Sequence, residues 1–302
     1  MSVTSNRRDA TPTSTFMNET DPSIPVPPLP PGFRLALPGR GTTFYRHLEG
    51  PPGAPTVLLL HGWTATADLN WFRVYEPLAE HFRVIAPDHH GHGNGIRSRS
   101  IFRMEHAADD AVAVCRHLGV QDAIVVGYSM GGSIAQLVWR RHRAFTRGLV
   151  LAATAAEYAE TTREHRRLQT LRALGISARL LPDAIRDRIA DSVFLDRKRG
   201  VWQPWAVREV SNHDWATIAQ AGGTLGTFKA RPWLASIDVP TSVILTTRDT
   251  VVPPRRQQVL VDNIPNVNVH TIEGDHDACF AEADTFAPAL VAALRHVVQH
   301  QN

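Results

Sequence analysis

Ser129 stands at the centre of Gly127-Tyr128-Ser129-Met130-Gly131, with Gly132 directly after. A serine hydroxyl attacks a carbonyl carbon when a base takes its proton, an acid orients that base, and fixed donors stabilise the oxygen that becomes charged. The pentapeptide suits the first of these parts. Apolar residues 123–126 precede it as a buried strand, and residues 133–139 follow it as a helix. A serine on so sharp a turn takes a strained backbone conformation that lifts its hydroxyl clear of the sheet. A side chain at position 127 or 131 would crowd the turn or the helix behind it. Short Gly/Ser motifs also occur in ordinary strand-to-helix turns, so the other parts must be found elsewhere in the chain.

Donors come from a second strand end. Residues 56–60 are apolar and run into His61-Gly62-Trp63. A glycine just past a strand lets the next N–H turn across the strand tips, which assigns one donor to the backbone N–H of Trp63. The other is the N–H of Met130, at the free, positive end of the helix after Ser129. His61 is expected to hydrogen-bond the loop backbone rather than act on substrate. An acid is offered by Asp249, just past the β-branched run 241–246. It also fits an N-cap of the helix starting near Pro254, as Asp183, Asp238 and Asp262 fit caps or turns. The base is His276, in a loop after the alternating run 267–272 and before a long helix. His270 lies within that strand, and His296 and His300 lie in or beyond the helix. The chain order is Ser129, Asp249, His276.

With these motifs in place the chain resembles the α/β-hydrolase family over residues 33–296. The resemblance rests on His61-Gly62-Trp63, Asp88-His89-His90-Gly91-His92-Gly93, the glycine-flanked serine, Asp249 before Val252-Pro253, and Gly274-Asp275-His276. It implies Ser129 as nucleophile, His276 as base and acid, Asp249 as its orienter, and Trp63 and Met130 as oxyanion donors through their backbone. The elbow is similar to that of the single-chain esterase, perhydrolase and C–C hydrolase branch with an inserted cap. Asn94-Gly95 departs from the small hydroxyl residue that many relatives carry, in a loop that is structural in most of them. Relatives that open epoxides or remove halogens carry Asp at the elbow; a serine forms an acyl-enzyme instead.

The expected function is cleavage of carboxylic esters with an apolar acyl or alcohol part, on a small-molecule substrate. C–C bond hydrolysis, perhydrolysis or acyl transfer on the same residues are the enzymatic alternatives. A ligand-binding protein on a hydrolase fold is the non-enzymatic one. No cofactor is implied, because the serine mechanism supplies both nucleophile and electrophile stabilisation. His89, His90 and His92 could hold zinc in principle. However, neighbouring side chains in a glycine-rich turn rarely converge, and no Cys or spaced His-Glu partner completes a site, so no metal is expected. Asp88 and His92 are read instead as internal hydrogen-bonding groups of that loop.

The elements that must hold these groups alternate. Strands are expected over 33–37, 42–47, 56–60, 82–87, 123–127, 147–152, 241–246 and 267–272. Helices are expected over 70–80, 104–118, 130–142, 255–262 and 280–299. This order predicts an α/β fold with a mainly parallel eight-stranded sheet, helices on both faces, and active groups at the carboxyl ends of strands. The first two strands are expected as an antiparallel hairpin at the sheet edge. Over 153–232 the alternation stops and helices are expected over 157–174, 182–194 and 204–220. That segment is read as a helical cap inserted into a core of 32–152 and 233–302. Gly222, Gly223 and Gly226 are candidate hinges, and Trp202, Trp205, Trp215, Phe228 and Trp233 either line an apolar pocket or pack the cap.

Composition is compatible with an enzyme of one large domain. The chain has 302 residues, 43% of them hydrophobic, and a net charge of +3. Lysine occurs only at 198 and 229, and the arginines are interleaved with acids, so nucleic acid is not an expected partner. Cys115 and Cys279 suit a reducing compartment without a structural disulfide, and a cytoplasmic location is expected. No run is apolar for long enough to span a bilayer, and no apolar segment follows Arg7 and Arg8 to make a secretion signal. Residues 1–31, rich in Thr, Ser and Pro, are read as a disordered or extended lead-in.

Overall fold

The computed structural model describes residues 25–182, 185 and 203–301. Its frame is one eight-stranded sheet: β1 (Gly32–Leu37), β2 (Gly41–Leu48), β3 (Thr56–Leu60), β4 (Arg83–Pro87), β5 (Ala123–Tyr128), β6 (Thr146–Ala152), β7 (Thr241–Thr246) and β8 (Asn268–Ile272). The spatial order is β1-β2-β4-β3-β5-β6-β7-β8. β1 pairs antiparallel with β2, and β2 with β4; every later pairing is parallel. The expected α/β class, parallel sheet and edge hairpin are therefore what the chain forms.

Alternate residues of each central strand face opposite sides, as the pleat requires. Leu58, Leu60 and Val125 join a core with helices α3 (Met104–His117), α4 (Met130–Arg141) and α8 (Pro254–Asn263). Val57, Leu59, Ile124 and Val126 join a second core with α1 (Ala67–Trp71), α2 (Tyr75–Ala79), α9 (Ala278–Ala281) and α10 (Ala283–Gln299). Burial on both faces explains why β3 and β5 read as continuous apolar runs.

Between β6 and β7 lie α5 (Thr162–Ala178), α6 (Pro204–Ser211) and α7 (Trp215–Leu225). Here the sequence reading needs correction at several ends. Helix α5 starts later than expected because Thr161 and Glu164 form a reciprocal capping box. The span expected as one helix over 204–220 is two helices. Asp214 breaks it by accepting from the Thr217 amide as an N-cap. The 70–80 helix is likewise split after Trp71, and Glu282 separates α9 from α10. The helix expected over 182–194 lies largely outside the described residues, as do Trp202 and the first 24 positions. Residues 25–31 run without helix or strand, and the Pro30 carbonyl accepts from Arg46.

The glycines expected as hinges stand at close contacts between elements. A Cβ at Gly222 would stand 2.5 Å from the Trp63 ring, one at Gly223 2.2 Å from Arg172 Cβ, and one at Gly226 2.8 Å from Leu168 Cβ. Helix α7 thus lies flush against α5 and the loop after β3. The expected aromatic residues mostly pack. Trp205 meets Phe72 edge-on at 5.1 Å, and Trp233 stacks on Trp139 at 5.8 Å. Among the described residues, no helix is long and apolar enough to cross a membrane.

Candidate active site

Strand order reverses at β3, which has β4 on one side and β5 on the other. A crevice opens at such a switch point beyond the carboxyl ends of the strands. Register sets what meets there. Leu60 is level with Gly127, Tyr128 with Ala152, and Thr246 with Ile272. The loops after β3, β5, β7 and β8 therefore leave the sheet along one rim.

Ser129 sits at the tip of the turn after β5 with φ 54° and ψ −121°, a left-handed region costly for a residue with a side chain. Glycines make the turn possible. A Cβ at Gly127 would lie 2.2 Å from the Gly131 carbonyl oxygen, and one at Gly131 2.0 Å from that of Leu60. The strained peptide is held by its carbonyl. The Ser129 oxygen accepts from the Gly132 amide at 2.9 Å, the Thr154 hydroxyl at 2.6 Å and the Tyr158 hydroxyl at 2.9 Å. Ser133 joins the cluster, its Oγ 2.9 Å from the Tyr158 oxygen.

His276 Nε2 lies 2.9 Å from Ser129 Oγ, and its Nδ1 lies 2.8 Å from Asp249 Oδ2. An ionised carboxylate only accepts, so Nδ1 carries the proton. Nε2 is then free to accept from the serine hydroxyl. Asp249 is fully engaged. Its Oδ2 also accepts from Thr246 Oγ1 (2.8 Å) and Gln257 Nε2 (3.2 Å), and its Oδ1 accepts from the amides of Val251 (2.9 Å) and Val252 (2.7 Å). It does not cap α8, whose N-cap position is Pro253. The imidazole loop is fixed from two sides. Tyr128 donates to the His276 carbonyl at 2.8 Å, and the His276 amide donates to Asp275 at 2.7 Å. The Thr250 amide, and after it the His276 amide, hold the Asp275 carboxyl below its usual range.

The loop after β3 is equally constrained. The Gly62 amide donates to Asn70 Oδ1 at 2.6 Å. His61 Nε2 accepts from the His89 amide at 3.0 Å, so its Nδ1 carries the proton and donates to the Gly62 carbonyl at 2.8 Å. Complete burial depresses the His61 pKa well below the ordinary histidine range and keeps the ring neutral. Among the described residues, neither the Trp63 nor the Met130 amide has a hydrogen-bond acceptor.

The histidine-rich loop serves the backbone. Asp88 accepts from the amides of Ala67 and Asn94 at 2.8 Å each. His92 Nδ1 donates to the His90 carbonyl at 3.0 Å, and His89 Nε2 bonds the His61 carbonyl at 3.2 Å. Burial pushes the pKa of His89 and of His90 down to about 4. Among the described residues, no group of three His, Cys, Asp or Glu side chains converges as a metal site would require.

Ser129, Asp249 and His276 are thus brought together; Met130 starts the helix after Ser129, and a Cβ on Gly62, next to Trp63, would lie 3.3 Å from Ser129 Cβ. Sequence reading misses the residues that hold them: Asn70, Tyr128, Thr154, Tyr158, Thr246 and Gln257. These are common types at no fixed spacing. Tyr128, inside the motif itself, is the one with a local signal.

Comparison with known proteins agrees with this architecture. The sequence matches the alpha/beta hydrolase fold family over residues 55–283. It is 43% identical to a bifunctional esterase/perhydrolase of Acinetobacter calcoaceticus over 84 residues, 28% of this chain and 30% of that one. It is 26% identical to a poly(3-hydroxyalkanoate) depolymerase of Ectopseudomonas oleovorans over 253 residues, 82% of this chain and 86% of that one. With several curated relatives the match spans about a third of their length. In fold, the chain is similar to the enol-lactonase of Burkholderia xenovorans LB400. The TM-score is 0.69 at 23% identity, covering 87% of this chain and 99% of that one. With its mainly parallel sheet, its strained serine turn and a family match over most of its length, the chain belongs to the alpha/beta hydrolase fold family.

Proposed function

We propose that this protein is a serine hydrolase that cleaves carboxylic esters carrying an apolar acyl or alcohol part. The carrying observation is the unbroken chain Ser129 Oγ, His276, Asp249, at 2.9 and 2.8 Å, with the Trp63 and Met130 amides unpartnered among the described residues. Ser129 Oγ attacks the ester carbonyl while His276 Nε2 takes its proton. The tetrahedral oxygen is received by the Trp63 and Met130 N–H groups at the positive end of α4. His276 returns the proton to the leaving alcohol, and Asp249 stabilises the imidazolium and fixes its tautomer. Water, deprotonated by His276, attacks the acyl-enzyme and frees the acid. No step calls for a cofactor or a metal.

Residues 32–152 and 233–302 form the core in this reading, and 153–232 form a cap over the rim. Peroxide in place of water at deacylation is a second reading, favoured by the esterase/perhydrolase relative. Ester hydrolysis is tested by Ser129→Ala assayed on p-nitrophenyl butyrate and labelled with a fluorophosphonate. A fall in kcat of about 10³-fold or more, with loss of labelling and an unchanged circular dichroism spectrum, is the expected result. Full activity in that variant would overturn the assignment.

A further inference from the structure

The Trp63 amide belongs to the Gly62–Trp63 peptide, and that peptide is held at one end only by its own loop. Its carbonyl, on Gly62, accepts from His61 Nδ1 at 2.8 Å and from the Ala65 amide at 3.4 Å. Beyond its N–H the next constraint is the Trp63 side chain, which is half-buried against the core. Trp63 Nε1–H donates at 2.8 Å to the carbonyl of Ile218, at the end of the first turn of α7.

A helix-interior carbonyl is normally screened by the side chain four residues on. Here that residue is Gly222, and a Cβ on it would stand 2.5 Å from Trp63 Cζ2 and 2.8 Å from Cε2. The missing Cβ exposes the Ile218 oxygen to a second donor and lets the edge of the indole approach bare backbone. Helix α7 is itself tied to the core: the Phe102 amide donates to Gln220 Oε1 at 3.0 Å, and the Asp214 amide to the Gly91 carbonyl at 2.8 Å.

We propose that the Trp63 indole is a positioning group through which α7 aims the Trp63 backbone N–H at the tetrahedral oxygen. The docking of α7 and the electrophile-stabilising half of the site are then one mechanical unit. A shift of α7 turns the peptide at 63 away from the reacting atom. This rests on the serine-hydrolase reading above and adds a residue that controls rate rather than affinity.

Two variants approach the contact from opposite sides. Trp63→Phe keeps an aromatic ring but loses the N–H. Gly222→Ala leaves Trp63 intact and wedges its ring, while improving the intrinsic helix propensity of α7. Both are assayed on p-nitrophenyl butyrate and for inhibition by phenylboronic acid, whose tetrahedral adduct with Ser129 presents an oxygen to the same N–H. The expected result is a kcat about tenfold lower, KM within about twofold, and boronate affinity weakened about as much as kcat, in both variants.

A kcat and boronate affinity within about twofold of the wild type in both variants would overturn the proposal. So would a loss confined to KM, which would make the indole a wall of the substrate pocket. Failure of the underlying reading is separate and visible in the wild type, which would then neither turn over the ester nor label with a fluorophosphonate.

Discussion

At the scale of single residues, the site depends on positions where no side chain fits. A methyl group at 131 would lie 2.0 Å from the Leu60 carbonyl oxygen and 2.7 Å from that of His61. Both are backbone atoms at the end of β3 and cannot swing aside. Gly131→Ala is therefore expected to destabilise the fold by about 3 kcal/mol or more, read as a lowered midpoint in chemical denaturation. A loss under about 1 kcal/mol would mean that the strand end yields more easily than its register implies. The position of Ser129, Asp249 and His276 just beyond β5, β7 and β8 was legible because each follows an apolar or β-branched run. Their fixing partners were not. Thr154 and Tyr158 act on the Ser129 carbonyl from beyond the next strand, and Gln257 reaches Asp249 from α8. Such bonds exist only once the sheet has formed.

Elements show a matching division. All eight strands could be read from their runs of apolar and β-branched residues, with ends within two residues of those observed. Helix breaks were missed where a polar cap, as at Asp214, outweighs an uninterrupted helical pattern. Helix α6 also brings an acid to the core that no pattern announces. Glu209 lies against Thr66, with Asp68 and Asp88 nearby and Arg46 as the neighbouring cation. Burial first, then those two carboxylates, raises its pKa to about 7; burial, then Asp68, raises Asp88 to about 7 as well. A folded-state pKa raised above the unfolded value means stability present at low pH and lost as pH climbs from the ordinary carboxylate range through about 7. Glu209→Gln is expected to match the wild type near pH 4 and to be more stable by about 1–3 kcal/mol at pH 8. Thermal melts across that range would check it. Equal melting temperatures at pH 8 would show that Glu209 finds water when it ionises.

At the scale of the whole molecule, one side chain joins the segments that follow the neighbouring strands β6 and β7. Arg256, on α8, donates to the Tyr158 carbonyl at 2.7 Å and to Glu164 at 2.6 Å, and pairs with Glu160 at 3.3 Å. Tyr158 in turn bonds the Ser129 carbonyl. The start of α5, the helix after β7 and the nucleophile turn are thereby linked. Arg256→Met is expected to cost about 1–3 kcal/mol at neutral pH, since a buried carbonyl loses its donor and Glu164 loses its cation, while Glu160 keeps Arg255. The Arg256 bond, then backbone amides, holds the Glu164 pKa down to about 2. A depressed pKa gives stability present above the ordinary carboxylate range and lost as pH falls toward about 2. The gap between variant and wild type should therefore narrow in acid, which urea titrations at pH 7 and pH 3 would measure. A gap of constant size would place the effect in packing alone.

The three donors on the Ser129 carbonyl grip the main chain and leave the hydroxyl untouched. The scaffold is thus indifferent to which reactive atom it carries. A thiol or a carboxylate at the same apex would inherit the same posture, the same imidazole and the same helix end. Reactivity here is a cartridge, and the machinery that aims it is built into the backbone around it.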